Sequence, residues 1–140
     1  MLLVDTNVLV DVLQDDPQWA DWSIQQLRGQ SQLHELTVNP VIYAELSLMY
    51  ESLEALDQTL SSMGIGFRET PRAALFLAGK AFARYRREGG AKHNVLPDFF
   101  IGAHAAVAGC CILTRDVRRY RSYFPTVELL TPETGGSARS

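Results

Sequence analysis

Short, uninterrupted apolar runs alternate along the chain with longer stretches in which apolar residues recur every three or four positions. The first run covers residues 2–4, and helical spacing follows between Val8 and Val12. A short apolar run is typical of a strand buried on both faces, and the longer spacing is typical of an amphipathic helix. Because the two kinds of segment alternate, the pattern predicts an α/β fold with a parallel sheet covered by helices.

This pattern predicts five strands and seven helices. The strands are expected at Leu2–Asp5, Leu36–Val38, Ile65–Arg68, Cys110–Thr114 and Val127–Leu130. Several helices begin at a polar residue followed by proline, a pair that caps a helix and starts its first turn. The helices are expected at Asn7–Gln14, Pro17–Gly29, Pro40–Tyr50, Leu53–Met63, Pro71–Gly89, Leu96–Ala108 and Val117–Tyr123. We predict one domain over residues 1–130 and a flexible, Gly/Ser-rich tail over residues 131–140.

Composition and charge restrict the function classes. The 140 residues carry a formal net charge of −3, which is not the global signature of a nucleic-acid-binding protein. No apolar run approaches the ~20 residues of a membrane span, and the N-terminus lacks the basic and apolar segments of a secretory signal. We therefore predict a cytoplasmic protein without membrane contact. No glycine-rich fingerprint follows the first strand, which excludes a dinucleotide-binding domain.

Two aspartates directly follow predicted strands. Asp5 comes at the end of the first strand, and Asp116 follows the fourth. If these strands are neighbours, the two carboxylates share one edge of the sheet, at a strand spacing of roughly 5 Å. That edge is where open α/β sheets bind their ligands. The alternative for Asp116 is a structural role as the cap of the short helix after it.

Glu45 and Asp98 are two further acids in apolar surroundings. The helical neighbours of Glu45, three and four residues away, are Val41, Ile42, Leu48 and Met49. We therefore place Glu45 within a core-facing stripe, where an unpaired carboxylate costs several kcal/mol. The alternative is a buried pair with an arginine. Asp98 begins a strongly apolar helix, where an acid in the first turn also stabilises the helix dipole.

Gathering four carboxylates in one place requires a compensating charge. Each pair in contact repels by about 1 kcal/mol in water and about 4 kcal/mol at an effective dielectric of 20. A divalent cation, or protonation of some of the acids, relieves that repulsion. Carboxylate oxygens are ligands that suit Mg²⁺ or Mn²⁺.

Asp11 is a further acid, on the first predicted helix. Its helical neighbours include Asn7, Gln14 and Asp15, so it is predicted to be an ordinary surface residue.

Four sequence motifs, taken together in this order, resemble the PIN-domain ribonucleases, specifically the VapC-type toxins of type II toxin–antitoxin pairs. They are VDTN at residues 4–7, YAEL at 43–46, LPDFFIGAHA at 96–105 and LTRD at 113–116. The likeness covers about residues 2–130. It implies a three-layer α/β/α fold with a parallel five-stranded sheet in the order 3-2-1-4-5.

The resemblance also implies an activity and a site. The implied activity is hydrolysis of RNA phosphodiester bonds by a toxin that inhibits translation, with Mg²⁺, or Mn²⁺ as a substitute, as cofactor. Asp5 and Asp98 are the firmest implied ligands, in a metal site formed by Asp5, Glu45, Asp98 and Asp116. Thr6, Asn7 and Thr114 are candidates to orient these carboxylates, and helix capping is the alternative for Thr6 and Asn7.

Basic residues flank the proposed acidic site in two clusters. One surrounds the approach to Asp98 and consists of Arg84, Arg86, Arg87, Lys92 and His93. The other surrounds Asp116 and consists of Arg115, Arg118, Arg119 and Arg121. The candidates to hold the phosphate backbone of RNA are Arg87, Lys92, Arg115, Arg118 and Arg119. The alternative for each is a solvated helix face, and Tyr85, Tyr120 and Tyr123 either stack on unpaired bases or pack in the core.

The resemblance further implies a VapB-type antitoxin as partner and a homodimer built through helices.

Two alternative functions stay open. One is a phosphohydrolase of the haloacid-dehalogenase type, which also has an aspartate after the first strand but needs a second acid where this chain has Asn7. The other is a PIN-like RNA-binding module without catalytic activity.

Overall fold

The computed structural model describes residues 1–92 and 95–132. Residues 93–94 and 133–140 lie outside this range. The predicted basic residue His93 and most of the predicted tail are therefore outside the described residues. Within the described ranges, no helix is both long enough and apolar enough to cross a membrane.

Five parallel strands form one sheet in the described part of the chain. They are β1 Leu2–Val4, β2 Leu36–Val38, β3 Gly66–Phe67, β4 Cys111–Leu113 and β5 Leu129–Leu130. Their order is β3-β2-β1-β4-β5, and every neighbouring pair is parallel. The predicted α/β class and strand order are confirmed. Val4 pairs with Leu113 in the register, so the residues that follow β1 and β4 leave the sheet side by side.

Seven helices connect these strands within the described residues. They are α1 Thr6–Leu13, α2 Ala20–Ser31, α3 Pro40–Ser47, α4 Leu53–Ser62, α5 Arg72–Arg87, α6 Leu96–Ala108 and α7 Arg118–Tyr123. The prediction that α3 continues to Tyr50 is wrong. After Ser47 the backbone N–H groups bond carbonyls three positions back, as Tyr50 N does to Ser47 O at 3.2 Å. Ser52 then accepts from the N–H of Ala55 and starts α4.

The central strands are covered on both faces. Every residue of β1, β2 and β4 is buried. The chain passes from β1 through β2 to β3 in one direction, then returns to the other side of β1 for β4 and β5. Because parallel crossovers are right-handed in nearly all proteins, this reversal places α1–α4 and α5–α7 on opposite faces of the sheet.

Asn39 links two helices that carry predicted site residues. Its Oδ1 accepts from the backbone N–H of Ile42 at 3.0 Å and so caps α3. Its Nδ2 lies 3.2 Å from Nδ1 of the buried His104 in α6. Burial lowers the pKa of His104, so the neutral ring accepts this hydrogen bond. Asn39 therefore ties the helix of Glu45 to the helix of Asp98.

The close packing of α6 against the residue that follows α7 requires a glycine at position 102. A Cβ at Gly102 would overlap the ring of Phe124, which is buried. We expect Gly102→Ala to destabilise the fold by about 1–3 kcal/mol through overpacking, less a gain of about 1 kcal/mol in helix propensity. Gly79→Ala in α5 is the matched control, because no atom within 4 Å meets its Cβ. Urea denaturation should show a lower midpoint for Gly102→Ala and an unchanged or higher one for Gly79→Ala.

Candidate active site

The four predicted acids come from separate parts of the chain. Asp5 follows β1, Glu45 lies on α3, Asp98 lies in the first turn of α6, and Asp116 follows β4. The pKa of Asp98 is raised to about 7, first by burial and then by the negative charges of Asp5, Asp116 and Glu45. Asp5, Glu45 and Asp116 therefore all lie within electrostatic range of Asp98, near the carboxyl edge of the sheet.

Asp5 is a buried carboxylate with hydrogen bonds on both oxygens. Its Oδ1 accepts from the backbone N–H of Thr6 at 2.7 Å, as the N-cap of α1. Its Oδ2 accepts from the hydroxyls of Thr114 and Tyr120, each at 2.8 Å, and from the Asn7 amide at 3.4 Å. Burial raises the pKa of Asp5, while the hydrogen bonds from Thr114 and Tyr120 oppose that rise.

Glu45 lies on α3 at a partly buried position outside the core. The prediction of a core-facing stripe is wrong, because α3 ends at Ser47 and Leu48 is 88% exposed. Glu45 itself is half-buried. Its Oε1 accepts from the Thr6 hydroxyl at 2.5 Å, which joins α3 to the start of α1.

Asn7 and Thr114 connect the loops that follow β1 and β4. The Oδ1 of Asn7 accepts from the backbone N–H of Arg115 at 3.1 Å, and its Nδ2 lies 3.3 Å from Thr114 Oγ1. Thr114 Oγ1 also accepts from the backbone N–H of Asp116 at 3.1 Å. Each residue predicted to orient a carboxylate thus contacts a predicted acid, and the role in orientation stays a prediction.

Asp98 faces an arginine rather than the end of its own helix. Val95, the residue before α6, makes no side-chain capping hydrogen bond within the described part of the chain. The Oδ2 of Asp98 lies 3.6 Å from Nε of Arg119, which is an ion pair but too long for a hydrogen bond. The Arg119 side chain is only 15% exposed, and its Nε is buried without a hydrogen-bond partner in the described part of the chain.

Asp116 is the most solvated of the three aspartates. Its Oδ1 accepts from the backbone N–H of Arg118 at 3.3 Å and from the guanidinium of that arginine at 3.4 Å. Burial would raise the pKa of Asp116, but the hydrogen bonds from Arg118 outweigh it and hold the pKa below its usual value. At neutral pH Asp116 is therefore ionised, whereas the pKa of Asp98 in the same site is raised to about 7.

These acids supply oxygen ligands but not a preformed cluster. Across residues 1–92 and 95–132, no three His, Cys, Asp or Glu side chains are close enough together to hold a metal ion. The donor set nevertheless fits a hard divalent cation, because carboxylate oxygens are what Mg²⁺ and Mn²⁺ prefer. Asp98 fits it too, because the negative charges of Asp5, Asp116 and Glu45 add to burial in raising its pKa.

Asp11 is not the surface residue that its helical neighbours predicted. Its carboxylate is 3% exposed and pairs with both the Nε and the Nη2 of Arg115, at 2.5 and 2.8 Å. Ser23 of α2 donates to the same carboxylate at 3.2 Å, and the guanidinium lies 5.1 Å from the Trp19 ring. The helix pattern missed this because Arg115 and Ser23 belong to other elements. The guanidinium of Arg115 is therefore already engaged in a bidentate ion pair, and its role as an RNA contact stays a prediction.

The other predicted RNA contacts differ in their exposure and in their distance from the acids. Arg87 and Lys92 are exposed, at and beyond the end of α5. Arg118 is exposed and paired with Asp116. Arg119 lies within the acidic site, beside Asp98.

Tyr120 is the site residue that sequence reasoning missed. It is buried on α7, so stacking on an RNA base is wrong for this tyrosine. Its hydroxyl donates to Oδ2 of Asp5. Burial, followed by the charges of Asp5 and Asp98, raises the pKa of Tyr120 well above its usual value, so the phenol stays protonated as a donor. No local pattern in the sequence indicated this contact, because Tyr120 and Asp5 lie 115 positions apart.

Several solved structures share this fold. VapBC2 from Rickettsia felis, bound to a promoter DNA fragment, aligns with a TM-score of 0.70 and 16% identity over 93% of this chain and 97% of that chain. DNA-bound VapBC from Salmonella typhimurium aligns at 0.67 and 18%, over 93% and 96%. A toxin–antitoxin complex from Klebsiella pneumoniae aligns at 0.63 and 20%, over 94% and 98%. No curated protein matches the chain significantly.

A family model completes the comparison. The model described as the PIN domain matches residues 2–124, which include all four acids. The match therefore spans the sheet edge and the helices described above. The chain belongs to the PIN domain family.

Proposed function

We propose that this protein is a metal-dependent endoribonuclease, the VapC-type toxin of a type II toxin–antitoxin pair. PIN domains are typically nucleases, which supports a hydrolase acting on nucleic acids. The haloacid-dehalogenase alternative is wrong, because the chain belongs to the PIN family. The observation that carries the proposal is that Asp5, Glu45 and Asp116 are all near enough to Asp98 for their charges to act on it, and together with burial they raise its pKa to about 7.

Mg²⁺, with Mn²⁺ as a substitute, is the proposed cofactor. The residues that would hold it are Asp5, Glu45, Asp98 and Asp116. When bound, such an ion lowers the pKa of water and stabilises the oxygen that leaves a phosphodiester. Contacts within the chain support this site, because Thr114 and Tyr120 donate hydrogen bonds to Asp5 and Thr6 donates one to Glu45.

The proposed substrate is RNA, held by cations at the rim of the site. Arg87, Lys92 and Arg118 are exposed and can meet phosphate oxygens in solvent. Arg119 is paired with Asp98, and within the described part of the chain its buried Nε has a proton without a hydrogen-bond acceptor. Arg115 contributes more through the loop it anchors with Asp11 than through a free guanidinium.

We further propose a VapB-type antitoxin as the partner, a homodimer built through helices, and a cytoplasmic location. The solved neighbours support the partner, because they are VapBC complexes and a toxin–antitoxin complex. The exposed apolar side chains Leu48 and Leu53, beside α3 and α4, are suited to either protein contact.

Metal binding should appear as a gain in thermal stability. We expect Mg²⁺ or Mn²⁺ at a hundredfold excess over its Kd to stabilise the folded protein by about 2.7 kcal/mol through mass action. Differential scanning fluorimetry with 10 mM Mg²⁺, against EDTA, measures this. Ca²⁺ tests selectivity, and Asp5→Asn should lose the shift. An unchanged midpoint in the wild type at every metal concentration would contradict the shared site.

Cleavage should depend on the same metal. Incubation of the purified chain with total RNA and Mg²⁺, followed by sequencing of new 5′ ends, should give discrete cuts that EDTA abolishes. RNA that binds but stays intact would support the alternative of a PIN-like module without catalytic activity.

A further inference from the structure

The two oxygens of Asp5 are held in different ways. Oδ2 accepts two short hydrogen bonds, from Thr114 Oγ1 and Tyr120 OH at 2.8 Å each. The Asn7 amide approaches the same oxygen at a longer 3.4 Å, and the two short bonds already match the two lone pairs of a carboxylate oxygen. Oδ1 accepts from the backbone N–H of Thr6 at 2.7 Å, which leaves it a second lone pair.

Of the two hydroxyls on Oδ2, the phenol of Tyr120 is the more firmly committed. Thr114 Oγ1 also lies 3.1 Å from the backbone oxygen of Asp116, so its single proton has a second acceptor. Tyr120 is 2% exposed, and its ring cannot turn away from Asp5 without disturbing the core that encloses it. The phenol therefore fixes the orientation of the carboxylate.

We propose that Tyr120 is a positioning residue for the nuclease reaction. Together with Thr114 it holds Oδ2 of Asp5, so that Oδ1 is the oxygen presented to the divalent cation. This inference rests on the proposed function, because it assigns a role to Tyr120 within that same metal site. It adds to the site a residue that touches neither substrate nor metal and acts only through Asp5.

The test is Tyr120→Phe, which keeps the ring and removes the hydroxyl. We expect the Kd for Mn²⁺, measured by isothermal titration calorimetry, to rise about 10–100-fold, as is typical when the partner of a ligand is lost. Tyr43→Phe is the matched control. Tyr43 also donates its hydroxyl to a carboxylate, that of Asp57 at 2.6 Å. It lies two residues from Glu45 on α3, and residues at that spacing do not share a helix face.

Kinetics separate positioning from a merely structural role. For Tyr120→Phe we expect kcat to fall with KM for RNA unchanged, and excess Mn²⁺ to restore part of the loss. Tyr43→Phe should match the wild type in both measurements. A Kd for Mn²⁺ within twofold of the wild type in Tyr120→Phe would overturn the proposal.

A second variant guards against a failure to fold. If Tyr120→Phe lacks a cooperative thermal transition, Thr114→Val removes the other short donor to the same oxygen. It should weaken Mn²⁺ binding in the same way, and an unchanged Kd would count equally against the proposal. Failure of the proposed function is a separate result, because the wild type itself would then neither bind Mn²⁺ nor cleave RNA.

Discussion

Asp98→Asn is expected to make the metal-free protein more stable while abolishing RNA cleavage. The folded state raises the pKa of Asp98 to about 7, above the ordinary value of 3.8. Removing the charge therefore relieves a desolvation cost, and a repulsion from the neighbouring acids, that the unfolded chain does not have. The full shift corresponds to about 4 kcal/mol, and solvent screening of a side chain that is 32% exposed reduces the expected gain to about 1–2 kcal/mol.

The destabilisation of the metal-free protein by the charge of Asp98 should depend on pH. An acid whose pKa is higher in the folded state binds its proton more tightly there, so it costs stability once the pH rises above its unfolded pKa. The advantage of Asp98→Asn should be small near pH 4, grow as the pH rises towards 7, and stay constant above it. Thermal denaturation in EDTA at pH 4.5, 6 and 8 measures this trend.

A matched control separates this effect from helix capping. Asp21 is an exposed acid in the first turn of α2, as Asp98 is in the first turn of α6. Asp21→Asn should lose about 0.3–1 kcal/mol of helix-dipole stabilisation and leave cleavage unchanged. Cleavage by Asp98→Asn should fall at least about 100-fold, because a proposed ligand of the metal is lost. If Asp98→Asn is destabilising like its control, Asp98 serves its helix and not a shared acidic site.

The second large effect is expected at Asp11. Asp11→Ala leaves the Arg115 guanidinium without the carboxylate that now binds it through two nitrogens. Breaking a buried pair costs about 3–5 kcal/mol, and because Arg115 is 27% exposed we expect about 2–4 kcal/mol. For a chain of this size the thermal midpoint should fall on the order of 10 °C.

The exposed pair between Arg68 and Glu35 is the control for that loss. Its nitrogen and oxygen are 2.6 Å apart, but both side chains are about half exposed. Arg68→Ala should therefore cost no more than about 1 kcal/mol. A double-mutant cycle on Asp11 and Arg115 isolates the coupling between them. Equal losses for Asp11→Ala and Arg68→Ala would contradict a buried structural role for Asp11.

Loss of the ion pair between Asp11 and Arg115 should also disturb the proposed active site. Arg115 stands between Thr114 and Asp116, and its backbone N–H donates to Asn7. The pair therefore joins α1 to the loop that follows β4, and both segments supply predicted site residues. We expect Asp11→Ala to weaken cleavage even at temperatures where the variant remains folded.

The strands and helices of the fold could be predicted from the local pattern of apolar and polar residues. The apolar runs predicted the central strands β1, β2 and β4, because a strand covered on both faces is made mostly of apolar residues. The edge strands β3 and β5 are only partly buried, and the alternation of strands with helices predicted them. Asp5 and Asp116 could be placed at one edge of the sheet for a related reason, since parallel neighbours end on the same side. Where helices end was harder to predict, as α3 shows, because the turn after Ser47 depends on the cap of the next helix.

Side-chain partners were decided by tertiary structure alone. Arg115 and Asp11 lie 104 positions apart, and Tyr120 and Asp5 lie 115 apart. Helical spacing reports only which residues share a face of one helix, so it predicted Asp11 as exposed and Glu45 as buried, and both were wrong. By itself the sequence determined which segments become strands and helices and which acids follow strands. The packing of distant segments decided which cation or hydroxyl each acid meets, because those contacts form only when separate elements close around the sheet.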